Sequence, residues 1–496
     1  VPLTAKATAL PRWLWLAVLA VTLMAPAMLG PLRLNDSHWI NYSWTEQFTA
    51  AIAHGDIWPR WLAQSHGGLG APDFYFYGPV TFWLAAVFGL TGLAPWPSLL
   101  CTATLASWVS GLAMARLCTG RTRHPGLAAA LYMALPYHLL DFYLRGALAE
   151  FVAYAPLPLI ALAIRDRLIG RLAASYALLI LTHLPTALLA SLFLIPPLII
   201  VKARRDGSAL LPLIAGLVGG LMLAAPYLLP AIILQPFAAI TTMTGTPALK
   251  ASHWAILSND WRIQEGLFLV ELICAASVLP VLILLPRDGL GWLTLAWIGL
   301  ALGLPPFLWD FPLLSRVQFP WRMLVMVDFG LAVMIARSVL PIERLLLLAT
   351  PALALTAIVL VLPTANTSVP LLNLLRTSHP DVIEYLPAGT TEPYAAYSHR
   401  ALRLAAVTPP SHSAAGWTTV RLHYFPIWQV RCANGVVPSS AEPKTGLLRY
   451  RGAGCAIEQR RPLVERIGIL LAILSIFLLA AHAAYGRGKG LLTPTG

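Results

Sequence analysis

The stretch Leu210-LPLIAGLVGGLMLAAPYLLPAII-Leu234 contains no acidic, basic or histidine residue, and roughly 20 apolar residues are what an α-helix needs to cross a bilayer. A similar run, Trp13 to Leu29, stands near the start of the chain. Composition extends the reading to the whole molecule. Of 496 residues, 58% are hydrophobic and 11% charged, with a mean hydropathy of +0.71, whereas soluble domains carry about 25% charged residues. A soluble globular class is excluded. The expected fold is an all-α polytopic membrane protein with a small β-rich domain near the C-terminus. Apolar segments fall at 12–30, 79–93, 98–118, 125–140, 147–164, 168–182, 185–201, 209–232, 266–285, 290–304, 323–340, 346–363 and 464–484, which predicts about 12–13 transmembrane helices.

Lys and Arg outnumber Asp and Glu by 34 to 21, a formal charge of +13. The excess sits in short breaks between apolar runs: Arg165/Arg167/Arg171, Lys202/Arg204/Arg205, Arg287, Arg337/Arg344 and Arg487/Lys489. That pattern marks a cytoplasmic side, and no nucleic-acid-binding module accompanies it. Before Arg165 the crossings do not alternate. Four apolar stretches stand where an odd number is required, so one of them is expected to be re-entrant or tilted, with Asp141 to Glu150 outside. Lys6, Arg12 and the small residues Ala25-Pro26-Ala27 also fit a cleaved signal peptide, although the later spans need none.

Three hydrophilic stretches then face outward: the first loop 31–78, the loop 233–265 and the tail 364–463. In the tail, Thr419-Val420-Arg421-Leu422-His423-Tyr424 alternates with period 2, as a half-buried strand does, and Asn434-Gly435 and Gly452 punctuate it. Cys432 and Cys455 lie in this tail, on the oxidising side, where a disulfide or two free thiols are both open. The other cysteines make no metal-ligand spacing. No internal repeat of the kind common in transporters is visible.

Polar residues pressed between apolar runs are the candidates for chemistry, because charge at that depth is costly unless paired or functional. The first loop holds Asp36-Ser37-His38-Trp39, an amphipathic run with Trp44, Phe48 and Ile52 that predicts an interfacial helix, and then Asp56 and Arg60. Asp36 is either a cap of that helix or a carboxylate held at the membrane boundary. Tyr137 to Glu150 contains Asp141, Arg145 and Glu150, for which an Arg145–Glu150 pair tying two helix ends is one reading and a site another. His183 ends a span. Ser315 to Arg322 brings Arg316 and Arg322 to the outer side, where a guanidinium fork suits a lipid phosphate or an acid. Glu271 and Asp328 read as helix-packing polar groups. Trp39, Trp58, Trp61 and Tyr77 are open between a sugar-binding role and an aromatic interface belt.

Asp36-Ser37-His38, Gly55-Asp56-Ile57-Trp58-Pro59-Arg60-Trp61, Gly68-Leu69-Gly70-Ala71-Pro72, Phe76-Tyr77-Gly78-Pro79, Arg145-Gly146-Ala147-Leu148-Ala149-Glu150 and Phe319-Pro320-Trp321-Arg322 together resemble bacterial YfhO-like membrane proteins, often labelled as 6-pyruvoyl-tetrahydropterin synthase-related. These are similar to the GT-C superfamily of polyprenyl-phosphate-sugar glycosyltransferases. The resemblance covers most of the chain, and Tyr424-Phe425-Pro426-Ile427-Trp428 with Gly435 and Thr445-Gly446-Leu447 looks like the β-domain that ends those proteins. It implies a GT-C-like transmembrane domain over 1–363, an extracytoplasmic β-rich domain over 364–463, and a final transmembrane helix with a cytoplasmic tail over 464–496, in a bacterial inner membrane.

By position Asp36 matches the catalytic aspartate of that superfamily. The usual second acid is missing: Ser37 and His38 follow instead, which leaves a divalent cation open. The implied reaction transfers a sugar from a polyprenyl-phosphate donor to an extracytoplasmic glycan or lipid acceptor, with inversion. Asp36 would be the general base and His38 or Asp56 its partner. Arg60, Tyr77, Arg145, Glu150, His183, Arg316 and Arg322 would bind substrate or phosphate. A transporter or flippase of a lipid-linked substrate, and a non-catalytic assembly protein, are the alternatives.

Overall fold

The computed structural model describes residues 11–29, 37–120, 122–240, 250–256, 261–284, 289–361, 381–390, 411–412 and 416–491. Asp36, and with it most of the segment between the first two helices, lies outside the described residues. So do 241–249, 257–260, 362–380 and 391–410, which belong to the loop 233–265 and the tail.

The chain is mostly helical. Its principal helices are α1 (Arg12–Leu29), α2 (His38–Ala53), α3 (Val80–Gly89), α4 (Pro95–Cys118), α5 (Pro125–Arg145, with a proline break at Pro136 and a last turn of π geometry), α6 (Leu148–Asp166), α7 (Ile169–Thr182), α8 (Leu184–Arg205), α9 (Leu210–Ile233), α10 (Trp261–Ile283), α11 (Leu290–Ala301), α12 (Leu324–Arg337), α13 (Ile342–Val361) and α14 (Leu463–Leu491). Each of the thirteen expected apolar segments contains one of these helices. Seven are long and apolar enough to cross a membrane: α4, α5, α6, α8, α13, α14, and α9 with the turn before it. Of the rest, α3, α11 and α12 are shorter than the apolar runs suggested, because proline or glycine follows before the hydrophobicity ends. The ten residues of α3 reach about 15 Å, half the roughly 30 Å of a hydrocarbon core. Among the four stretches before Arg165, α3 is the short one.

Hydrogen bonds tie the two ends of the helix bundle differently. At one end Arg165 Nη1 reaches the Leu117 carbonyl at 2.6 Å, Arg167 pairs with Asp206 at 2.6 Å, and Arg123 and His124 donate backbone N–H groups to the Ala336 carbonyl. Most of the basic clusters belong to this end. Small residues allow close approach along the bundle: α9 sets Gly219 and Gly220 against Ala173 of α7, and α14 sets Gly468 against the backbone of Ala225. Ser475 of α14 donates to the Gly219 carbonyl at 2.9 Å.

At the other end α2 does not lie on a surface with one apolar face down, as its amphipathic pattern suggested. Ten of its residues, His38 to Thr45 with Gln47 and Phe48, are buried. Trp44 packs edge-on against Phe74 and Phe82, Phe48 edge-on against Phe74 and tilted against Phe82, and Tyr385 stacks over Trp44 from the segment 381–390. That segment crosses the aromatic cluster as a strap, held by the Ala239 N–H on the Leu386 carbonyl and the Ala388 N–H on the Phe237 carbonyl.

The β-rich region contains two antiparallel sheets. One has the order β1 (Ser411–His412), β2 (Trp417–His423), β6 (Leu447–Arg451), β5 (Ser439–Ala441); the other has β4 (Gly435–Val437), β3 (Trp428–Cys432), β7 (Ala456–Gln459). Cys432 and Cys455 form a disulfide. The register shifts between Thr419 and His423, and this irregularity interrupts the alternation read from the sequence. His423 is buried, with its N–H on the Leu69 carbonyl and Nδ1 against the Gly70 carbonyl, both at 2.8 Å. The β-region therefore rests on the first loop, where Trp61 meets the edge of Trp428.

Arg60 holds the first loop to the bundle. Pro230 in α9 has no N–H, so the carbonyl of Pro226, one turn earlier, lacks its intrahelical donor. Arg60 Nη2 supplies it at 2.7 Å, while Nη1 donates to the Phe74 carbonyl at 3.2 Å and the Trp58 ring covers the guanidinium at 3.7 Å. Burial lowers the Arg60 pKa to about 10, so it is charged at neutral pH. Arg60→Ala is expected to cost about 2–3 kcal/mol by leaving two carbonyls without that charged donor. Thermal or denaturant unfolding of the detergent-solubilised protein measures this, and Arg60→Lys, which lacks the planar fork, should recover only part of it.

Candidate functional site

The polar residues between α5 and α6 close on one carboxylate. Glu150 is fully buried. Its Oε1 accepts from the Tyr137 hydroxyl at 2.7 Å, and its Oε2 accepts from Arg145 Nη1 and from Arg322 Nε, each at 3.1 Å. Arg145 also pairs with Asp141 at 2.6 Å, one helical turn back. Arg322 anchors its other side through Nη1 on the Val317 carbonyl at 2.6 Å. The Phe319 ring lies against both guanidiniums, at 5.7 and 5.3 Å, and stacks on Trp321. Two carboxylates and two guanidiniums thus neutralise one another in an apolar surrounding, as buried charge requires. Their exposure is unequal: Asp141 and Glu150 side chains are 0% accessible, Arg145 and Arg322 13% and 9%. The cluster hides its anions and leaves its cations at the accessible side.

Backbone geometry brings this cluster to the start of α2. The π-turn Asp141–Arg145 ends at Gly146, which has φ +65°. A side chain there would meet the His38 backbone nitrogen at 2.5 Å. Because Gly146 has none, Asn41 Nδ2 donates to its carbonyl at 2.5 Å, His38 Nε2 lies 2.6 Å from the Phe142 carbonyl, and the Ser37 N–H donates to the Arg145 carbonyl at 3.0 Å. Gly78 works in the same way on the other flank. A Cβ on it would stand 2.5 and 2.6 Å from the carbonyl oxygens of Leu181 and Thr182, so the chain carrying Tyr77 passes directly over the end of α7, beside His183. Burial raises the Tyr77 pKa to about 12 and lowers that of His183 to about 3, so both are neutral at pH 7. Both lie within the electrostatic reach of Arg145, Glu150 and Arg322. His183 Nδ1 is 2.8 Å from the Thr186 hydroxyl.

Of the residues singled out in the sequence, Tyr77, Arg145, Glu150, His183 and Arg322 thus come together, with His38 at their border. Arg316 turns away and donates to Gln235 at 2.9 Å. Arg60 serves the α9 carbonyl described above. Asp56 is exposed and accepts from the Trp58 N–H at 3.2 Å. It stands beyond the C-terminal end of α2, whose 16 residues place it about 24 Å along the helix from Ser37, so the loop does not fold back to pair Asp56 with the start of α2. Trp61 is consumed in packing on Trp428. Asp328 accepts from the Tyr154 hydroxyl at 2.8 Å, a packing contact between α12 and α6. Among the described residues no group of three or more His, Cys, Asp or Glu gathers as a metal site.

A second acidic feature had no clear sequence signal. Asp73, in the aromatic run after Pro72, and Asp381, in the strap, are both fully buried and face each other within hydrogen-bonding reach. Trp44 Nε1 donates to both Asp381 oxygens at 3.0 Å, and the Val382 N–H donates to one at 2.7 Å. The Ser65 hydroxyl reaches Asp73 at 3.4 Å. Burial first, and then the neighbouring carboxyl, raises the Asp73 pKa well above the carboxylate range; burial raises that of Asp381 to about 6. The folded pair holds a proton that the unfolded chain releases near pH 4, so the stability it lends is present below that value and is lost as pH rises through the folded range. Neither a protein-family model nor a curated protein matches the chain.

Melting temperature is accordingly expected to fall by a few degrees between about pH 4.5 and pH 8 from this pair. Asp381→Asn, neutral at every pH, should flatten that part of the profile in differential scanning calorimetry.

Proposed function

We propose that the chain is a multi-pass membrane glycosyltransferase of the bacterial inner membrane that moves a sugar from a polyprenyl-phosphate donor to an extracytoplasmic glycan or lipid acceptor. The observation that carries this reading is the gathering of Arg145 and Arg322 on the fully buried Glu150, with only the guanidinium side of the cluster retaining any accessibility, 13% and 9%. An anion approaching the cluster meets guanidinium first, in a setting of low dielectric where such contacts are strong. The hydrogen bond from the Ser37 N–H to the Arg145 carbonyl supports the role of Asp36, since it makes residue 36 the immediate chain neighbour of the cluster.

The chemistry needs few groups. The acceptor hydroxyl attacks the anomeric carbon, its proton passes to the Asp36 carboxylate, and the bond from that carbon to the phosphate oxygen breaks. The polyprenyl phosphate leaves with both bonding electrons, its charge met by Arg145 and Arg322. One displacement inverts the anomeric centre, and no covalent intermediate on the protein is required. Glu150 and Tyr137 hold the guanidiniums in position, and His38 holds the entry of α2 against Phe142.

Sugar transfer from a panel of radiolabelled polyprenyl-phosphate sugars into membrane extracts tests this. Asp36→Asn at matched expression is expected to lower transfer by about 10²-fold or more, and Arg322→Ala by about 10²-fold. Full transfer by folded, membrane-inserted Asp36→Asn protein would overturn the assignment. Independently of activity, Glu150→Ala should destabilise the protein by about 3–5 kcal/mol, because it leaves two buried guanidiniums facing one carboxylate.

A further inference from the structure

In the β-region, against the segment that leads into α14, lies a cavity of about 300 Å³ whose walls include Trp428, Gln429, Ser439, Arg460, Arg461 and Pro462. The two arginines are only loosely committed. Arg460 stands 3.7 Å from Glu458 and Arg461 3.8 Å from Glu465, with 49% and 68% of their side chains exposed; a charge-assisted bond closes to about 2.7–2.9 Å. Glu458 is shared with Arg431 at 3.7 Å, and Glu465 also accepts from the Tyr75 hydroxyl at 3.2 Å. Arg431, Arg460 and Arg461 thus share two carboxylates, which leaves an excess of positive charge beside the cavity.

Its place along the chain narrows the ligand. Pro462 is the last residue before α14, whose side chains Leu470, Ile473, Leu474, Ile476, Phe477 and Leu478 are 44–68% exposed. The arginines therefore sit where a helix with an open apolar flank begins. In the membrane reading above, on which this step rests, that is headgroup level at the end of the bundle opposite most of the basic clusters, and arginine there runs against the usual placement of basic residues.

We propose that this cavity binds the phosphodiester headgroup of an anionic phospholipid. Arg460 and Arg461 hold the phosphate from the cavity wall. The acyl chains lie along the exposed flank of α14. The lipid thus fastens the β-region to the last helix.

Native mass spectrometry of the full-length protein in detergent, titrated in parallel with phosphatidylglycerol, phosphatidylcholine and inorganic phosphate, tests the site. Phosphatidylglycerol is expected to be retained as a discrete adduct about tenfold better than phosphatidylcholine. The double variant R460Q/R461Q should lose that preference. S439W, which fills the cavity and leaves every charge in place, should lose the adduct as well. Equal retention of the two lipids, or loss in R460Q/R461Q with full retention in S439W, overturns the proposal, the latter by showing a diffuse surface charge effect. Displacement of the adduct by equimolar inorganic phosphate overturns the lipid as the occupant and assigns the cavity to a soluble phosphate. Retention of the Cys432–Cys455 disulfide and an unchanged melting temperature establish that each variant is folded. Recovery of the wild-type chain from the membrane fraction checks the underlying membrane reading separately.

Discussion

A carboxylate enclosed by apolar helices has to be neutralised where it stands, and Glu150 is neutralised by guanidiniums from two distant parts of the chain. Arg145 comes from the π-turn that ends α5, and Arg322 from the turn that opens α12, 172 residues after Glu150. Satisfying one buried charge therefore fixes the meeting of three helix ends. The consequences spread from there. Arg145 must stay in its turn, so Gly146 must carry a positive φ, and that turn in turn receives the start of α2. Phe319, packed against both guanidiniums, sets the path of the segment before α12. Replacing any one partner leaves the others facing uncompensated charge in a medium that solvates it poorly.

The first loop is bound to the bundle by a similar economy of orphaned groups. Pro230 frees a carbonyl, and Arg60 takes it up. Trp44 finds the Asp381 carboxyl, which faces Asp73. His423 uses the Leu69 and Gly70 carbonyls. In each case a polar group left over by one element is satisfied by a residue from another, so the first loop, strap, β-region and bundle interlock through few but well-buried contacts.

Much of this was legible in the sequence because hydrophobicity is periodic and local. All thirteen apolar runs contain helices, and the tail holds strands and a disulfide where alternation and two cysteines pointed. The closeness of Arg145 and Glu150 was also legible, being a matter of five residues. What was hidden depends on long-range partners. No local pattern says that Arg60 answers a proline in α9, or that Asp73 faces a carboxyl 308 residues later. Helix length was misjudged for the same reason that it was predicted at all: an apolar run measures transfer into a nonpolar medium, whereas a helix stops where proline or glycine removes its backbone bonds. The helical pattern of Trp44, Phe48 and Ile52 identified α2 but not the covering of its second face, which comes from the strap. Asp56 could be placed relative to Ser37 only once residues 38–53 were known to be one helix.

The contact between the Tyr75 hydroxyl and Glu465 spans 390 residues of sequence, and it has a consequence in time. A ribosome adds about 5–20 residues per second, so Tyr75 is made some 20–80 s before its partner. Through that interval α9 has no α14 against its glycine face. The nascent chain must hold α9 without its partner through that interval, and the packing of its glycine face is completed only when α14 is made.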